Sequence, residues 1–71
     1  MVDIWKYDGI SSGKITVLCK TGKRYSGYVI TVEAKEDDPD GLETEDCITL
    51  DLVDGRIMSF YPSEIERIEE A

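Results

Sequence analysis

The sequence predicts an all-β fold, a five-stranded and strongly bent antiparallel barrel in one domain that spans residues 1–71. Nearly every apolar residue falls in a run of strand length bounded by Gly, Asp or Pro, which is typical of small all-β domains. A glycine interrupts the longest run, and a proline-led turn precedes the last one. A chain of 71 residues buries only about 60% of its unfolded surface, so we expect self-association to supplement its core.

Residues 1–13 are predicted to form a short helical turn or an extended lead-in. Asp8-Gly9 and the Ser-Ser-Gly cluster that follows would stop any longer helix. We expect Trp5 to cover one end of the core. In the alternative, Trp5 and Tyr7 form a pair that stacks on a ligand.

A first hairpin is predicted from strands Lys14–Lys20 and Arg24–Glu33, joined by a turn at Thr21-Gly22. In the first strand, Ile15, Val17 and Cys19 share one face. In the second, the two-residue period puts Tyr25, Gly27 and Val29 on one face and Tyr28, Ile30 and Val32 on the other. Because glycine within a strand usually marks a bend or a close backbone approach, we expect one at Gly27.

A second hairpin is predicted from strands Cys47–Leu52 and Arg56–Tyr61. Asp54-Gly55 is the strongest short hairpin signal in the chain. Alternation places Ile48, Leu50 and Leu52 on one face of its first strand, and Ile57 opposite Met58 and Phe60 in its second. Pro62 ends the pairing because it has no N–H. We expect Ser63 to cap a single helical turn, and Ile65 and Ile68 to lie in a short fifth strand.

Residues 34–46 join the two hairpins and are predicted to form an acidic, solvated loop, because so many like charges cannot be buried together. The acidic residues are Glu36, Asp37, Asp38, Asp40, Glu43, Glu45 and Asp46. An EF-hand match fails because its twelfth position, a bidentate Glu, would be Cys47, which leaves weak divalent-ion binding as the alternative. With no His and no closely spaced Cys pair, the sequence predicts no structural metal site and no cofactor.

The net charge of −8 is unevenly distributed. Residues 1–35 carry six basic and three acidic side chains, whereas residues 36–71 carry two basic and thirteen acidic ones. The asymmetry has three interpretations: plain solubility, a basic patch on the first hairpin, and head-to-tail attraction between copies.

Cys19 and Cys47 both fall in apolar runs and are predicted to be small buried side chains, with a disulfide as the alternative if their strands adjoin. No apolar stretch approaches the ~20 residues of a membrane span, and the N-terminus lacks the pattern of a signal peptide. We therefore expect a cytoplasmic protein without a membrane partner.

The strand order, the glycine in the long strand and the short last strand resemble the Sm-like (LSm) family of SH3-like small barrels. The resemblance covers about residues 14 to 68 and is clearest in Thr21–Val29, TGKRYSGYV, which is similar to the family's first motif. The segment Phe60–Ile68, FYPSEIERI, resembles the end of small bacterial Sm-like proteins. The resemblance implies rings built by strand pairing between neighbours, and RNA binding at the pore.

Candidate RNA-binding residues on this basis are Lys20, Lys23, Arg24, Asp37 and Tyr61. Asp37 stands where the family motif has Asn, and an ionised Asp accepts hydrogen bonds but donates none. Tyr61-Pro62 stands where the family has Arg-Gly, and Tyr61 either stacks on a base or packs beside Phe60. The first hypothesis is a non-enzymatic, homo-oligomeric Sm-like module with residual RNA binding.

The alternative hypothesis is a regulator that engages a basic protein through the acidic loop. The residues concerned are Glu36, Asp37, Asp38, Asp40, Glu43 and Glu45. Such binding should weaken as ionic strength rises, whereas a merely solvated loop would bind nothing. Catalysis is not expected, because the chain has no His and no Ser or Cys with an activating neighbour in sequence.

Overall fold

The structure, a computed structural model, describes residues 2–8, 13–34 and 45–70. In chain order the elements are a 3-10 helix η1 (Ile4–Tyr7), β1 (Lys14–Cys19), β2 (Arg24–Glu33), β3 (Cys47–Leu52), β4 (Ile57–Phe60), a 3-10 helix η2 (Pro62–Glu64) and β5 (Ile65–Glu70). The strands form one sheet in the order β4-β3-β2-β1-β5, with every pair antiparallel. The all-β class with five antiparallel strands is confirmed, and across the described residues β4 and β5 remain the two ends of an open sheet.

Strand β2 joins the two halves of the sheet. It pairs with β1 through Arg24–Tyr28 and with β3 through Gly27–Glu33. A Cβ atom on Gly27 would overlap the carbonyl oxygen of Asp51 and lie 2.8 Å from the Cα of Leu52. The predicted close backbone approach at Gly27 is confirmed, and it lies where β2 passes from one half of the sheet to the other.

Both hairpins turn through a glycine in the left-handed region. In the second, the Gly55 N–H donates to the Leu52 carbonyl at 2.9 Å, and the Leu52 N–H donates to the Arg56 carbonyl at 2.7 Å. Gly55 has a φ of 93°, as does Gly22 in the first hairpin, and no described non-glycine residue has a positive φ. A two-residue turn at Asp54-Gly55 would need a positive φ at Asp54 as well. The turn is therefore a three-residue loop closed by glycine, and the hairpin predicted at Asp54-Gly55 is confirmed.

A bulge in β2 changes which side chains face the core. The register with β3 shifts between Val29 and Thr31, so Ile30 has no residue directly opposite it. Because the extra residue reverses the alternation, Val32 is buried and Ile30 is exposed. The prediction that Val32 shares a face with Ile30 is therefore wrong.

A second bulge lies in the last strand, β5. Leu18 pairs with Arg67 and Cys19 pairs with Ile65, which leaves Glu66 as the extra residue. Ile65 and Ile68 are three residues apart, yet both pack on the core because of this bulge.

The core lies on one face of the sheet, under η1. Its buried side chains are Ile4, Tyr7, Ile15, Val17, Cys19, Val32, Ile48, Leu50, Leu52, Phe60 and Ile65. The predicted inward faces of β1 and β3 are confirmed. Trp5 was expected to cover this core, but it is 42% exposed, and its neighbours Ile4 and Tyr7 do so instead. Since Tyr7 is buried, it cannot join Trp5 in stacking on a ligand.

The two cysteines lie near opposite ends of β2. Cys19 pairs with Ile65 at the end of β1, whereas Cys47 pairs with Glu33 at the far end of β2. Neither forms a disulfide. In the described ranges, no helix has both the length and the apolar character that a membrane crossing requires.

Candidate binding site

A cleft of about 500 Å³ opens between the β1–β2 turn and the segment from β4 to η2. Its buried and half-buried lining residues are Cys19, Tyr25, Met58 and Phe60, and its exposed ones are Lys20, Thr21, Lys23, Ser59, Ser63 and Glu64. The rings of Tyr25 and Phe60 lie 5.2 Å apart and tilt by 47°. The cleft thus combines an apolar, aromatic interior with a polar rim, as ligand sites commonly do.

The β1–β2 turn holds the two lysines of the rim in place. The Lys20 N–H donates to the carbonyl oxygen of Glu64 at 2.9 Å, which ties the turn to η2. The Cys19 N–H donates to the Lys23 carbonyl at 2.9 Å, which closes the hairpin on the other side of Gly22. The two ammonium groups therefore extend from a fixed turn, and Glu64 is the acidic residue of the same rim.

The thiol of Cys19 contributes apolar surface to the cleft. Burial raises the pKa of the Cys19 thiol above its ordinary value of 9.0, and the charge of Glu64 raises it further, while Lys23 acts in the opposite direction. Because the thiolate is the reactive form of cysteine, this environment keeps Cys19 protonated and unreactive at neutral pH.

A third cation lies close to the aromatic interior. The Arg56 guanidinium carbon is 5.8 Å from the centre of the Tyr25 ring. Asp54 fixes it, accepting from Arg56 Nε at 2.8 Å and from the Arg56 backbone N–H at 3.0 Å. These hydrogen bonds lower the pKa of the Asp54 carboxyl and raise that of Arg56.

A second depression, of about 830 Å³, follows β5 on the other side of η2. Val2, Pro62, Ile65 and Ile68 supply its apolar surface, and Lys20, Ser63, Glu66 and Arg67 its polar surface. Both end strands of the sheet are therefore bordered by a depression with apolar walls.

Strand β4 directs part of its backbone away from the sheet. The Leu52 N–H bonds the Arg56 carbonyl, so alternation along an antiparallel ladder makes Met58 the next residue to bond β3. Ile57 and Ser59 then point their N–H and C=O groups outward. Among the strands that the structure describes, none pairs with this side of β4.

Strand β5 has a corresponding free side. The Cys19 N–H donates to the carbonyl of Lys23, the residue just before β2, so Cys19 directs its backbone toward β2. Alternation then makes Thr16 and Leu18 the β1 residues that bond β5. The backbone groups of Ile68 and Glu70 then point away from β1. Each end of the described sheet thus carries backbone donors and acceptors directed outward.

The last residues of the acidic segment connect η1 with η2. Glu45 accepts from the Ser63 N–H at 3.0 Å and from the Ser63 hydroxyl at 2.6 Å. Asp46 accepts from Nε1 of Trp5 at 2.9 Å. The prediction that Ser63 caps the turn is wrong, since Tyr61 occupies the N-cap position and the Ser63 hydroxyl bonds Glu45 instead.

The structure brings together only part of the predicted RNA-binding set. Lys20 and Lys23 share the cleft. Arg24 pairs with Leu18 at an outward position of the sheet, and Tyr61 is half-buried just before η2, outside the cleft lining. Asp37 lies outside the described residues.

Most of the predicted protein-binding loop also falls outside the described ranges, namely Glu36, Asp37, Asp38, Asp40 and Glu43. Glu45 is described, and both of its carboxylate oxygens accept hydrogen bonds from Ser63. Within residues 2–8, 13–34 and 45–70, no three His, Cys, Asp or Glu side chains are grouped as metal ligands.

The aromatic interior of the cleft was not predicted from the sequence. The parity of Tyr25, Met58 and Phe60 along their strands predicts that they face inward, which is the signal that was present. Their position beside the lysine turn depends on the fold of the whole sheet, which strand periodicity does not specify.

Searches of protein-family models, curated proteins and solved structures find no match to this chain.

Proposed function

We propose that this protein is a non-catalytic assembly module of the Sm-like kind, whose copies join edge to edge, β4 of one pairing with β5 of the next. The observation that carries the proposal is the strand order, which leaves β4 and β5 at opposite ends of one described sheet. An exposed edge is a template for another strand. Pairing between two different edges continues from copy to copy until the rotation closes a ring.

Charge favours this pairing over the pairing of two β5 edges. Strand β5 carries three acidic residues and one basic residue, Glu66, Arg67, Glu69 and Glu70, whereas β4 carries no charge. Two β5 strands side by side would bring net negative charges together, which is destabilising. The combination of β4 with β5 avoids this repulsion, and it would cover the apolar walls beside both edges.

Residual RNA binding is the second part of the proposal. Lys20 and Lys23, which line the cleft, would neutralise phosphates there. The net charge of −8 opposes this binding, so we expect it to be weak and strongly salt-dependent. The alternative, a regulator that engages a basic protein through residues 36–46, rests on residues that lie mostly outside the described ranges.

The edge pairing is tested by light scattering on a size-exclusion column with wild type, Ser59→Pro and Ser59→Ala. Proline removes the outward N–H of Ser59 and keeps the bonds between β3 and β4, because proline is tolerated on an edge strand. Ser59→Ala is the matched control, since it loses the same hydroxyl but keeps the N–H. We expect wild type and Ser59→Ala to form a discrete assembly well above dimer mass, and Ser59→Pro to lose it. A wild type no larger than a dimer, or a Ser59→Pro that assembles normally, would contradict the proposal.

The RNA component is tested separately by titrating a short, fluorescently labelled single-stranded RNA at low salt. The double variant Lys20→Glu, Lys23→Glu should abolish RNA binding. Lys6→Glu, a charge reversal on η1, should reduce the RNA affinity less. If the two proteins bind the RNA equally well, the cleft is not the RNA site, while the assembly proposal stands.

A further inference from the structure

Four of the five large apolar side chains that the described residues expose belong to one side of the sheet, the face turned away from the core. They are Tyr28, Ile30, Val53 and Ile57, between 51% and 67% exposed. We call them the outer patch. A contiguous apolar patch on a small protein commonly marks an interaction site.

The outer patch surrounds one carboxylate. Asp51 pairs directly with Tyr28 of β2 on one side and with Ile57 of β4 on the other. Val53 lies two residues after Asp51, just beyond the end of β3, and its N–H donates to the Ser26 carbonyl at 3.0 Å, so it continues the ladder on the same face. Whatever covers this patch must supply a cation to Asp51, because a buried unpaired charge is costly.

A matching cation lies in the same row of the sheet. Lys14 of β1 pairs directly with Tyr28, on the side opposite Asp51. Side chains that pair directly across antiparallel strands share a face, and neighbouring strands are about 4.8 Å apart. Tyr28 is therefore flanked at equal strand spacing by a positive charge on one side and a negative charge on the other.

We propose that a second copy of this chain docks on the outer patch about a two-fold axis that passes between the two Tyr28 rings. For two sheets that face each other, this axis lies between them and runs parallel to the strands, so half a turn about it places Lys14 of each copy over Asp51 of the other. The two Tyr28 rings then pack together, and each Asp51 faces the partner's Lys14, twice per dimer. Such self-complementarity is what an isologous interface requires.

The row is arranged to favour this contact in one register only. A shift by one strand would place Tyr28 against a charged residue and separate each Asp51 from the partner's Lys14, and a shift by two strands toward β4 would bring the two Asp51 side chains together, which is repulsive. Ile57 and Val53 border the row and exclude water from the charge pairs, as near-neutral contacts do around an interface centre.

This face contact is independent of the edge pairing, since it uses outward side chains of β1, β2 and β3 rather than the free backbone groups of β4 and β5. The decisive measurement is sedimentation equilibrium in the Ser59→Pro background, where edge pairing is blocked. We compare Lys14→Asp, Asp51→Lys, the double reversal of both, and Lys6→Asp, a charge-matched control on η1. Far-UV circular dichroism confirms that each protein is folded.

The Ser59→Pro protein should be a reversible dimer. Each single reversal replaces two attractive contacts by two repulsive ones and should weaken the dimer about 10-fold or more, and the double reversal should restore it to within about 3-fold. Lys6→Asp should have no such effect. Tyr28→Thr, which keeps a strand-forming residue and removes the ring, should also weaken the dimer.

Three results would overturn the inference: a monomer at every concentration, a double reversal as weak as the single ones, or a Lys6→Asp that weakens the dimer equally. If Ser59→Pro does not fold, the same variants are measured in the wild-type background. There the single reversals should halve the mass of the assembly, and an unchanged mass would refute the face contact. An assembly that Ser59→Pro leaves intact while the charge reversals behave as described would refute the edge pairing alone.

Discussion

Gly27 is the position where a single added methyl group should disturb this fold most. We expect Gly27→Ala to lower the free energy of unfolding by about 3 to 5 kcal/mol. The reason is that its new Cβ would meet backbone atoms of β3, which cannot rotate away as a side chain can. The substitution therefore acts on the junction between the two halves of the sheet.

The magnitude follows from the local geometry. The Cβ would overlap the Asp51 carbonyl oxygen and lie 2.8 Å from the Cα of Leu52 and 2.9 Å from the carbonyl carbon of Asp51. Overpacking in a close-packed interior costs about 1–3 kcal/mol. Moving β3 away also stretches nearby hydrogen bonds, such as that from the Val53 N–H to the Ser26 carbonyl, each worth about 1 kcal/mol. Since small domains have about 5–15 kcal/mol of stability in total, much of it would be lost.

The assay is chemical denaturation followed by far-UV circular dichroism, with all proteins at one concentration because self-association changes apparent stability. Gly55→Ala is the matched control. Its φ is 93° and nothing lies within 4 Å of the added Cβ, so it experiences only the cost of a left-handed backbone, about 1–2 kcal/mol. Gly27→Ala should therefore be the more destabilised of the two. If the free energy of unfolding of Gly27→Ala lies within about 1 kcal/mol of the wild-type value, or above that of Gly55→Ala, the steric argument is wrong.

Three further predictions concern polar groups and the thiols. Hydrogen bonds from Arg56 lower the pKa of Asp54 below its ordinary 3.8. The stability that these bonds give is therefore present above pH 3.8 and is lost as the pH falls through the lowered pKa. The difference in Tm between wild type and Asp54→Asn should accordingly shrink in acid, and a difference that grows there would contradict this account. Because burial raises the pKa of the Cys19 thiol, iodoacetamide should label half-buried Cys47 faster than Cys19 by mass spectrometry; equal rates would argue against a protected thiol. Glu45→Ala removes both hydrogen bonds to Ser63 and should cost about 1 kcal/mol in thermal unfolding, so an unchanged Tm would show that this contact does not stabilise the fold.

The strands were predictable because their information is local. Alternation of apolar residues locates β1 and β3, and Gly27 marks the close approach, since both effects depend on a few neighbouring residues. The bulges were not predictable in this way. Which residue is the extra one in each bulge, Ile30 in β2 and Glu66 in β5, depends on the strand that lies opposite. That partner is set by the whole sheet.

The same limit applies to the candidate site. Lys20 and Lys23 were found because they flank a recognisable glycine turn. That they share a cleft with Tyr25 and Phe60 was not predicted, because this depends on η2 packing against the β1–β2 turn. Trp5 was misplaced for a related reason: within η1 the burial falls on residues three apart, and propensity alone does not say which pair faces the core.

The shortness of β4 has a consequence for how copies would come together. The strand has four residues, of which Ile57 and Ser59 alone direct backbone groups outward, so one junction with a neighbour rests on few hydrogen bonds. At about 1 kcal/mol each, these bonds contribute little against the 4–15 kcal/mol that association costs in lost translational and rotational freedom. A copy held by a single junction should therefore detach readily, whereas every copy in a closed ring is held by two. Assembly would then be nearly all-or-none, with monomers and complete rings in equilibrium and open chains scarcely populated.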